Sequence, residues 1–320
     1  MLLLLLLLLS PAITPAERCH PVDKAAIRKF KNSLPMWKLD RDCCDIFNCD
    51  QTTNRVIRLV LTNSNLAGTI PDTIGDLTYL NTIQFYKMPF LVGEIPQSVT
   101  RLKYLESFEI NWTNISGNVP PFLAELKTVW TINLSYNNLS GPIQSSLATL
   151  PNLAKLDLSR NRLTGSIPES FGHLVAPYGL SLILSHNMLS GEIPESVGNT
   201  NFSQFDVSRN NLSGDASMLF GAWKDNTNFV DISRNSFEFD LSPVSFMTKE
   251  LAYLDLSHNK IYGKIPSQIM EALELQYFNV SYNRLCGKIP SPWKLKYESF
   301  DNSSFMHNRC LCGSPLAQCK

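Results

Sequence analysis

The stretch Asp157–Pro168 reads DLSRNRLTGSIP and recurs along the chain with few changes. Four close copies are NLSYNNLSGPI at Asn133–Ile143, ILSHNMLSGEIP at Ile183–Pro194, DLSHNKIYGKIP at Asp255–Pro266 and NVSYNRLCGKIP at Asn279–Pro290. Alignment on the glycine gives ten copies, numbered here as coils one to ten, at Gly68, Gly93, Gly117, Gly141, Gly165, Gly191, Gly214, Phe239 in place of glycine, Gly263 and Gly287. Units of about 24 residues are too short to be separate domains, so the copies must pack on one another.

Each position of the repeated phrase has a structural role. Leu156, Leu158 and Leu163 are predicted to point inward, and Asn161, which recurs in nearly every copy, to bond the backbone of neighbouring coils. The glycine permits a positive φ, and the Ile-Pro pair keeps the return segment extended. This pattern is typical of plant-type leucine-rich repeats. It predicts an α/β solenoid, a right-handed superhelix with a concave parallel sheet and short 3₁₀ or irregular segments opposite, to which a second, shorter sheet is often added.

Composition and the chain start restrict the function classes. The 28 basic and 28 acidic side chains balance, which gives no support to nucleic-acid binding. The apolar run Leu2–Leu9 is too short to span a membrane and is followed by small residues. We interpret residues 1–16 as a signal peptide rather than a buried helix, and we expect a secreted protein without a membrane span.

The eight cysteines lie only near the two ends, at Cys19, Cys43, Cys44, Cys49, Cys286, Cys310, Cys312 and Cys319. Zinc sites prefer Cys-x-x-Cys pairs, which are missing, so disulfides in two caps are favoured over metal binding. We predict an N-terminal cap at 17–55, ten repeats at 56–287 and a C-terminal cap at 288–320. The first cap should contain a helix from Pro21, with Ala26, Ile27, Phe30 and Leu34 on its apolar face.

Four cysteines at each end allow three pairings each. The pairing that we predict is Cys19–Cys43, Cys44–Cys49, Cys286–Cys310 and Cys312–Cys319.

From Cys19 to Lys320 the chain resembles the polygalacturonase-inhibiting proteins of plants. The most diagnostic stretches are GDASMLFG at Gly214–Gly221, HNKIYGKIP at His258–Pro266 and HNRCLCGSPL at His307–Leu316. One departure is that only DIFN separates Cys44 from Cys49, where the family has a longer stretch with a tryptophan. The resemblance implies an apoplastic, cell-wall-associated protein that inhibits fungal endopolygalacturonases in plant defence by occluding the enzyme or its pectin substrate.

In such a solenoid the residues between the inward leucines face the concave surface. One such column of side chains is largely acidic, and a second column, three residues further on, is basic and aromatic. From both columns we predict these partner-binding residues: Lys87, Trp112, Tyr136, Asp157, Arg160, His186, Asp206, Arg209, Asp231, Arg234, Asp255 and His258. The alternative is that each aspartate pairs with the arginine three residues on and leaves a neutral face. Tyr253, Tyr277 and Tyr282 are further concave aromatics.

The sequence does not favour an enzyme. A glycosidase acid needs a raised pKa, whereas an open surface beside arginines is expected to lower it. His186 and His258 lie three coils apart, about 14 Å by strand spacing, too far to cooperate. We therefore expect no catalytic residues, no cofactor and no metal.

Sequons predict N-glycosylation at Asn111, Asn114, Asn138, Asn201, Asn211 and Asn302. The predicted partners are a fungal polygalacturonase and, through the arginines, pectin or polygalacturonate, bound by a monomer. Two alternatives remain within this fold. One is a non-inhibitory ligand-recognition or developmental protein, and the other is ice binding, for which regular rows of Asn or Thr would be the signature.

Overall fold

The computed structural model describes residues 18–33, 42–221, 226–246, 250–291 and 300–320. The predicted signal peptide and Leu34 lie outside these residues. Within them the chain winds as a solenoid, with one parallel sheet on the concave side, short 3₁₀ helices on the opposite side and a second set of short strands between them. The predicted leucine-rich-repeat solenoid is confirmed.

The concave sheet takes one strand from each coil, because the alternating leucines bury one face of every strand. Its strands in the described residues are Val56–Thr62, Thr82–Gly93, Ser107–Asn118, Thr131–Asn133, Lys155–Asp157, Leu180–Ile183, Phe202–Asp206, Phe229–Asp231, Tyr253–Asp255 and Tyr277–Asn279. The strands are parallel and in register, so equivalent residues of successive coils lie side by side. Asp206, Asp231 and Asp255 are neighbours of this kind.

Shorter strands follow the turn of each coil and pair with one another, as the plant-type pattern predicts. They are Gly68–Thr69, Asn138–Pro142, Arg162–Gly165, Met188–Glu192, Asn211–Gly214, Ser236–Phe237, Tyr262–Gly263, Arg284–Lys288 and Cys310–Cys312. Thr82–Gly93 and Ser107–Asn118 are long enough to run through both sets. The 3₁₀ helices are Cys43–Asp45, Asp72–Asp76, Gln97–Arg101, Pro121–Glu125, Ser145–Thr149, Glu169–His173, Glu195–Asn199, Ser217–Leu219, Ser267–Glu271 and Asn302–Ser304.

The core is built as the repeat predicts. Leu156, Leu158 and Leu163 are fully buried. Gly165 has a φ of 78°, and its aligned glycines are also in the positive region, which only glycine enters without strain. Phe239, which replaces glycine in coil eight, is buried and has no positive φ.

A ladder of asparagines connects the coils. The Asn161 Nδ2 donates to the carbonyl of Leu158 in its own coil and to that of Leu134 in the preceding coil. Its Oδ1 accepts from the Leu139 amide at 3.0 Å. The same Nδ2 donations to two coils are made by Asn137, Asn187, Asn210, Asn235, Asn259, Asn283 and Asn308. The predicted role of this asparagine is confirmed, and Asn308 extends it beyond coil ten.

The N-terminal cap closes the first coil with the helix Pro21–Ser33, which begins at a proline and buries Ala26, Ile27 and Phe30. A short strand, Asn48–Cys49, pairs antiparallel with Val56–Thr62. The cap is joined to the solenoid by a buried ion pair between Asp23 and Arg55.

The C-terminal cap repeats the geometry of a coil. Its strand Cys310–Cys312 pairs parallel with Arg284–Lys288, and the Val280 amide donates to the Ser304 carbonyl. All eight cysteines lie in the described residues, and they form the four predicted disulfides, including Cys44–Cys49 across the short DIFN segment.

Candidate partner-binding face

The predicted basic and aromatic column has a backbone that the sequence did not indicate. Each of its residues has a φ between 51° and 57°, which is the left-handed region. We call this set the left-handed column: Asn63, Lys87, Trp112, Tyr136, Arg160, His186, Arg209, Arg234, His258, Tyr282 and His307. Bulky side chains rarely adopt this conformation, since the Cβ crowds the backbone at a cost of about 1 kcal/mol or more per residue.

In six of the coils, a neighbouring polar column braces the turn that precedes this backbone. The Asp157 Oδ1 accepts from the Ser159 amide at 3.0 Å and from its hydroxyl at 2.7 Å. The same bond to the amide two residues on is made at Asn133, Asp206, Asp231, Asp255 and Asn279, which with Asp157 form the polar column. Asp157 and Asp255 are buried, whereas Asp206 and Asp231 are half-buried. Only part of the predicted acidic surface is therefore open to a partner.

Aromatic rings of the left-handed column stack from coil to coil at both ends of the face. Trp112 lies parallel to Tyr136 with ring centroids 3.7 Å apart, and the Arg160 guanidinium lies 4.8 Å from the Tyr136 ring. At the other end Tyr282 stands between His258 and His307, with its ring 4.1 Å from each. Such contacts fix the side chains before any partner arrives.

Tyr253 and Tyr277 were predicted as concave aromatics, but Phe229 and the stacking of the three rings were missed in the sequence. Phe229, Tyr253 and Tyr277 lie parallel on successive coils, with centroids 4.2 and 4.3 Å apart. The Tyr277 hydroxyl donates to the Asp255 Oδ2 at 3.3 Å. The signal available was an aromatic residue directly before the first core residue of three consecutive strands. The position of His307 could also have been found, because Asn308 follows Asn283 by 25 residues, as one coil does.

The alternative in which each aspartate pairs with the arginine three residues on is wrong. Within the described residues, no ion pair joins an aspartate of the polar column to an arginine of the left-handed column. The aspartates use their Oδ1 atoms to hold the turn. The arginines have a left-handed backbone, whereas the prediction treated every residue of the face as part of an extended strand.

The predicted direction of the aspartate pKa values is also wrong. Burial raises the pKa of Asp157 and Asp206 above the usual value. For Asp231, burial and the nearby Asp206 and Asp255 raise the pKa to about 7, despite the bonds from Ser233. Desolvation by the adjacent coils exceeds the effect of the arginines, because the solvent-facing guanidinium groups lie beyond ion-pair distance.

Two histidines of the left-handed column have a lowered pKa, in contrast to the raised pKa of the aspartates. Burial lowers the pKa of His186, and the flanking Arg160 and Arg209 lower it further. Burial also lowers the pKa of His258, together with Arg234. Both imidazoles are therefore held towards the neutral form, in which a ring stacks without an added charge.

Replacing Asp231 with asparagine is expected to remove a pH dependence of stability. A carboxyl whose pKa is about 7 when folded and 3.8 when unfolded favours the folded state at low pH. That contribution is lost as the pH rises from about 4 through 7, because the unfolded chain releases the proton first. The thermal midpoint of Asp231→Asn should thus fall less between pH 4 and pH 8 than that of the wild type.

Asparagine is a matched replacement, since Asn133 and Asn279 make the same turn bond in coils four and ten. Equal pH dependence in both proteins would contradict the assigned ionisation of Asp231.

The predicted partner-binding residues are brought onto one face, with Lys87 exposed and its Nζ 5.1 Å from the Tyr86 ring.

The asparagines of the predicted glycosylation sites differ in their surroundings. Asn211 and Asn302 are exposed, and Asn138 donates to the Asn114 Oδ1 at 3.0 Å. The Oδ1 atoms of Asn111 and Asn201 are buried without a hydrogen-bond partner. Glycosylation at these six sites stays a prediction.

The Leucine Rich Repeat family matches residues 128–150, 152–174, 180–200, 250–271 and 274–295. The chain is similar to a polygalacturonase inhibitor of Pyrus communis, with 55% identity over 99% of this chain and 97% of that protein. It is 52% identical to the leucine-rich repeat protein FLOR 1 of Arabidopsis thaliana, over 94% of this chain and 93% of that protein. Among solved structures, a plant ice-binding protein superposes with a TM-score of 0.89 at 42% identity, covering 95% of this chain and 99% of that one.

Because this similarity covers nearly the whole length, the protein is of the leucine-rich-repeat class, with disulfide-bonded caps at both ends of the solenoid. The chain belongs to the polygalacturonase inhibitor family. The relatives from Pyrus communis, Vitis vinifera and Arabidopsis thaliana that define this family are named as inhibitors of an enzyme rather than as enzymes, which supports the prediction of a non-catalytic protein. In the described residues, no helix has the length and apolar character needed to cross a membrane.

Proposed function

We propose that this protein is a secreted inhibitor of fungal endopolygalacturonases, which it binds through the concave face to limit pectin degradation in plant defence. The names of the relatives supply the target class. The observation that carries the proposal is the left-handed column, which presents large side chains on successive coils in a backbone region that disfavours them.

The composition of this column supports binding rather than folding. Asparagine and glycine adopt a positive φ most easily, and Asn63 occupies the first position of the column. The next ten positions instead hold Lys, Trp, Tyr, Arg or His. Selection for stability alone would not keep such residues where the backbone is strained, and strained backbone is characteristic of functional sites. Arginine and aromatic side chains are also the usual anchors of protein interfaces.

The docking centre proposed here is on coils four to eight, around Tyr136, Arg160, His186, Arg209 and Arg234. An enzyme that cleaves polygalacturonate must bind a polyanion, so its cleft requires cationic side chains. The half-buried Asp206 and Asp231 offer carboxyl groups whose pKa is raised in the free protein, and the cations of such a cleft would favour their ionised form. The arginines beside them can meet acidic groups at the edge of the cleft. A face of mixed sign therefore suits a partner of mixed sign, and it steers the encounter.

The arginines of the same column support a second partner of the inhibitor, pectin or polygalacturonate. Arg160, Arg209 and Arg234 are exposed. Within the described residues, none of the three forms an ion pair, so their charges are available to a polyanion.

A recognition role without inhibition is the second candidate, since FLOR 1 carries no inhibitor name. Ice binding is less well supported despite the similar ice-binding structure. The row two residues beyond the left-handed column contains asparagines but is interrupted by Pro89, Arg162 and Met188, and the concave face is charged. Neither surface offers the regular Asn or Thr rows expected for ice.

The test of the proposed function is a pectin-hydrolysis assay with a panel of fungal, bacterial and insect polygalacturonases, with and without the purified protein. Inhibition of at least one fungal endopolygalacturonase is expected. No inhibition of any enzyme in the panel would contradict the proposal and favour the recognition role. Thermal hysteresis measured on the same protein would reveal ice binding.

Truncation of the concave anchors should weaken inhibition. Tyr136→Ala removes a ring stacked between Trp112 and Arg160, and Arg209→Ala removes an exposed cation at the centre of the face. Each is expected to raise the inhibition constant by about fivefold or more, or about 1 kcal/mol. The control is Glu195→Ala in the exposed part of a 3₁₀ helix on the opposite side. Loss of inhibition in the control alone would refute the concave docking.

A further inference from the structure

The left-handed column continues into the C-terminal cap. His307 has a φ of 57°, is exposed, and stacks on Tyr282, which stacks in turn on His258. We call these three residues the imidazole–tyrosine stack. Tyr282 is 47% exposed although both faces of its ring are covered, so its edge and hydroxyl are presented at the concave surface.

The imidazole of His307 is not needed to close the solenoid. The cap is joined to coil ten by backbone and by Asn308, since the Tyr282 amide donates to the Met306 carbonyl and the Leu285 amide to the Asn308 Oδ1. An asparagine at position 307 would adopt the observed φ with less strain, because its short polar side chain can hydrogen-bond the local backbone. As in coils two to ten, a strained backbone carries a large side chain for which the fold gives no requirement, and at His307 that side chain is exposed.

The rim beside the stack is basic. Two residues after each member of the stack comes an exposed cation: Lys260 after His258, Arg284 after Tyr282 and Arg309 after His307. Arg284 forms a 2.8 Å ion pair with the exposed Glu238. The end of the face therefore combines a rigid tyrosine edge, two imidazoles and an excess of positive charge, which complements an acidic protein loop that also carries an apolar side chain.

The same enzyme can reach this patch from the docking centre. His307 lies four coils beyond Arg209, about 19 Å at the spacing of neighbouring strands. An interface of ordinary size covers roughly 800 Å² per partner and is thus roughly 30 Å across. From Arg209, half of that width reaches Tyr282, which lies three coils on at about 14 Å, whereas His307 lies about 4 Å beyond the edge. A loop at the border of a partner centred on Arg209 therefore covers the imidazole–tyrosine stack.

We infer that the imidazole–tyrosine stack is a second anchor for the polygalacturonase, binding an acidic loop of the enzyme outside the central contact. This inference rests on the proposed function. A tyrosine already fixed between two rings loses little conformational freedom when a partner covers it, which is the property of an energetic anchor. The C-terminal cap thereby contributes directly to partner selection as well as closing the core.

The experiment uses the full mature protein, with its disulfides intact, and a fungal polygalacturonase that the wild type inhibits. Tyr282→Ala and His307→Asn are each expected to raise the dissociation constant about tenfold. Two matched controls carry the same substitutions elsewhere: Tyr262→Ala, a tyrosine that is 45% exposed on the second sheet, and His173→Asn on a 3₁₀ helix of the opposite side. Both controls should stay within about twofold of the wild type.

Thermal midpoints separate binding from folding. His307→Asn should retain the wild-type midpoint, since the relief of backbone strain offsets the lost stacking. Wild-type affinity in both stack variants, with Tyr136→Ala and Arg209→Ala still weakened, would overturn the second anchor and leave the proposed function intact. A lowered midpoint with unchanged affinity in the stack variants would assign the stack to the cap and equally overturn it. A wild type that inhibits no enzyme would overturn both proposals.

Discussion

Replacing Asp23 with alanine is expected to lower the free energy of unfolding by about 3–5 kcal/mol. Asp23 is fully buried and accepts from both the Arg55 Nε and its terminal nitrogen. It also accepts from the Val56 amide at 2.7 Å, where the first concave strand begins. Removal of the carboxylate leaves a largely buried cation and a buried amide without their acceptor, which is the costly way to break an ion pair.

The effect should be measured by chemical and thermal unfolding, with Glu238→Ala as the control. Glu238 forms an ion pair of similar length with Arg284, but both side chains are about half exposed. Exposed pairs contribute only about 0–1 kcal/mol, so the control should be nearly neutral. A double variant, Asp23→Leu with Arg55→Met, should recover much of the loss, because it removes both buried charges. Equal destabilisation by the two single variants would show that burial does not set the cost.

The repeat allowed the core of this fold to be predicted because each position is determined by local rules. Side chains alternate between the two faces of a strand, so Leu156 and Leu158 must both point inward. Gly165 stands where the chain turns back and needs a positive φ. Asn161 could be assigned because only a side chain with both donor and acceptor groups satisfies the same buried backbone in every coil.

The face was predicted less completely for a physical reason. Trp112, Tyr136 and Arg160 are residues for which a left-handed backbone is unfavourable, so residue type argued against the conformation that the turn after each strand imposes. The pKa of Asp231 depends on desolvation by neighbouring coils, which no single copy of the repeat reveals. These are the positions where local preference and the final structure disagree, as expected where function constrains the residue.

The end of the repeat was hidden for a different reason. The characteristic phrase is interrupted after Pro290, and in FMHNRCLCG at Phe305–Gly313 the leucine positions before and after the asparagine are taken by Phe305 and Cys310. Asn308 and His307 keep their spacing from Asn283 and Tyr282, and this spacing carries the structural information once the leucines are lost. Sequence identity to the consensus fades in a terminal coil because one side of it no longer packs on a following coil.

Substituting Asn161 with leucine is expected to destabilise the protein by about 3 kcal/mol. The Leu134 and Leu158 carbonyls keep other donors, since Asn137 and Asn187 also donate to them. The Leu139 amide, however, loses the Oδ1 to which it donates inside the core. Each of these carbonyls therefore has a second asparagine donor, whereas the buried amide depends on a single asparagine Oδ1. An orphaned buried amide, rather than the number of broken bonds, should account for most of the cost.

Amide hydrogen exchange locates this effect within the solenoid. Exchange at Leu139 should accelerate strongly in Asn161→Leu, whereas Leu189, whose amide donates to the Asn210 Oδ1, should be protected as in the wild type. The control is Asn199→Leu, because Asn199 is exposed at the end of a 3₁₀ helix. An unchanged thermal midpoint in Asn161→Leu would refute the ladder as a source of stability. In a solenoid each coil contacts only its neighbours, so a local defect should weaken protection only at the adjacent interfaces. Equal loss of protection at Leu139 and Leu189 would instead show that the coils unfold together.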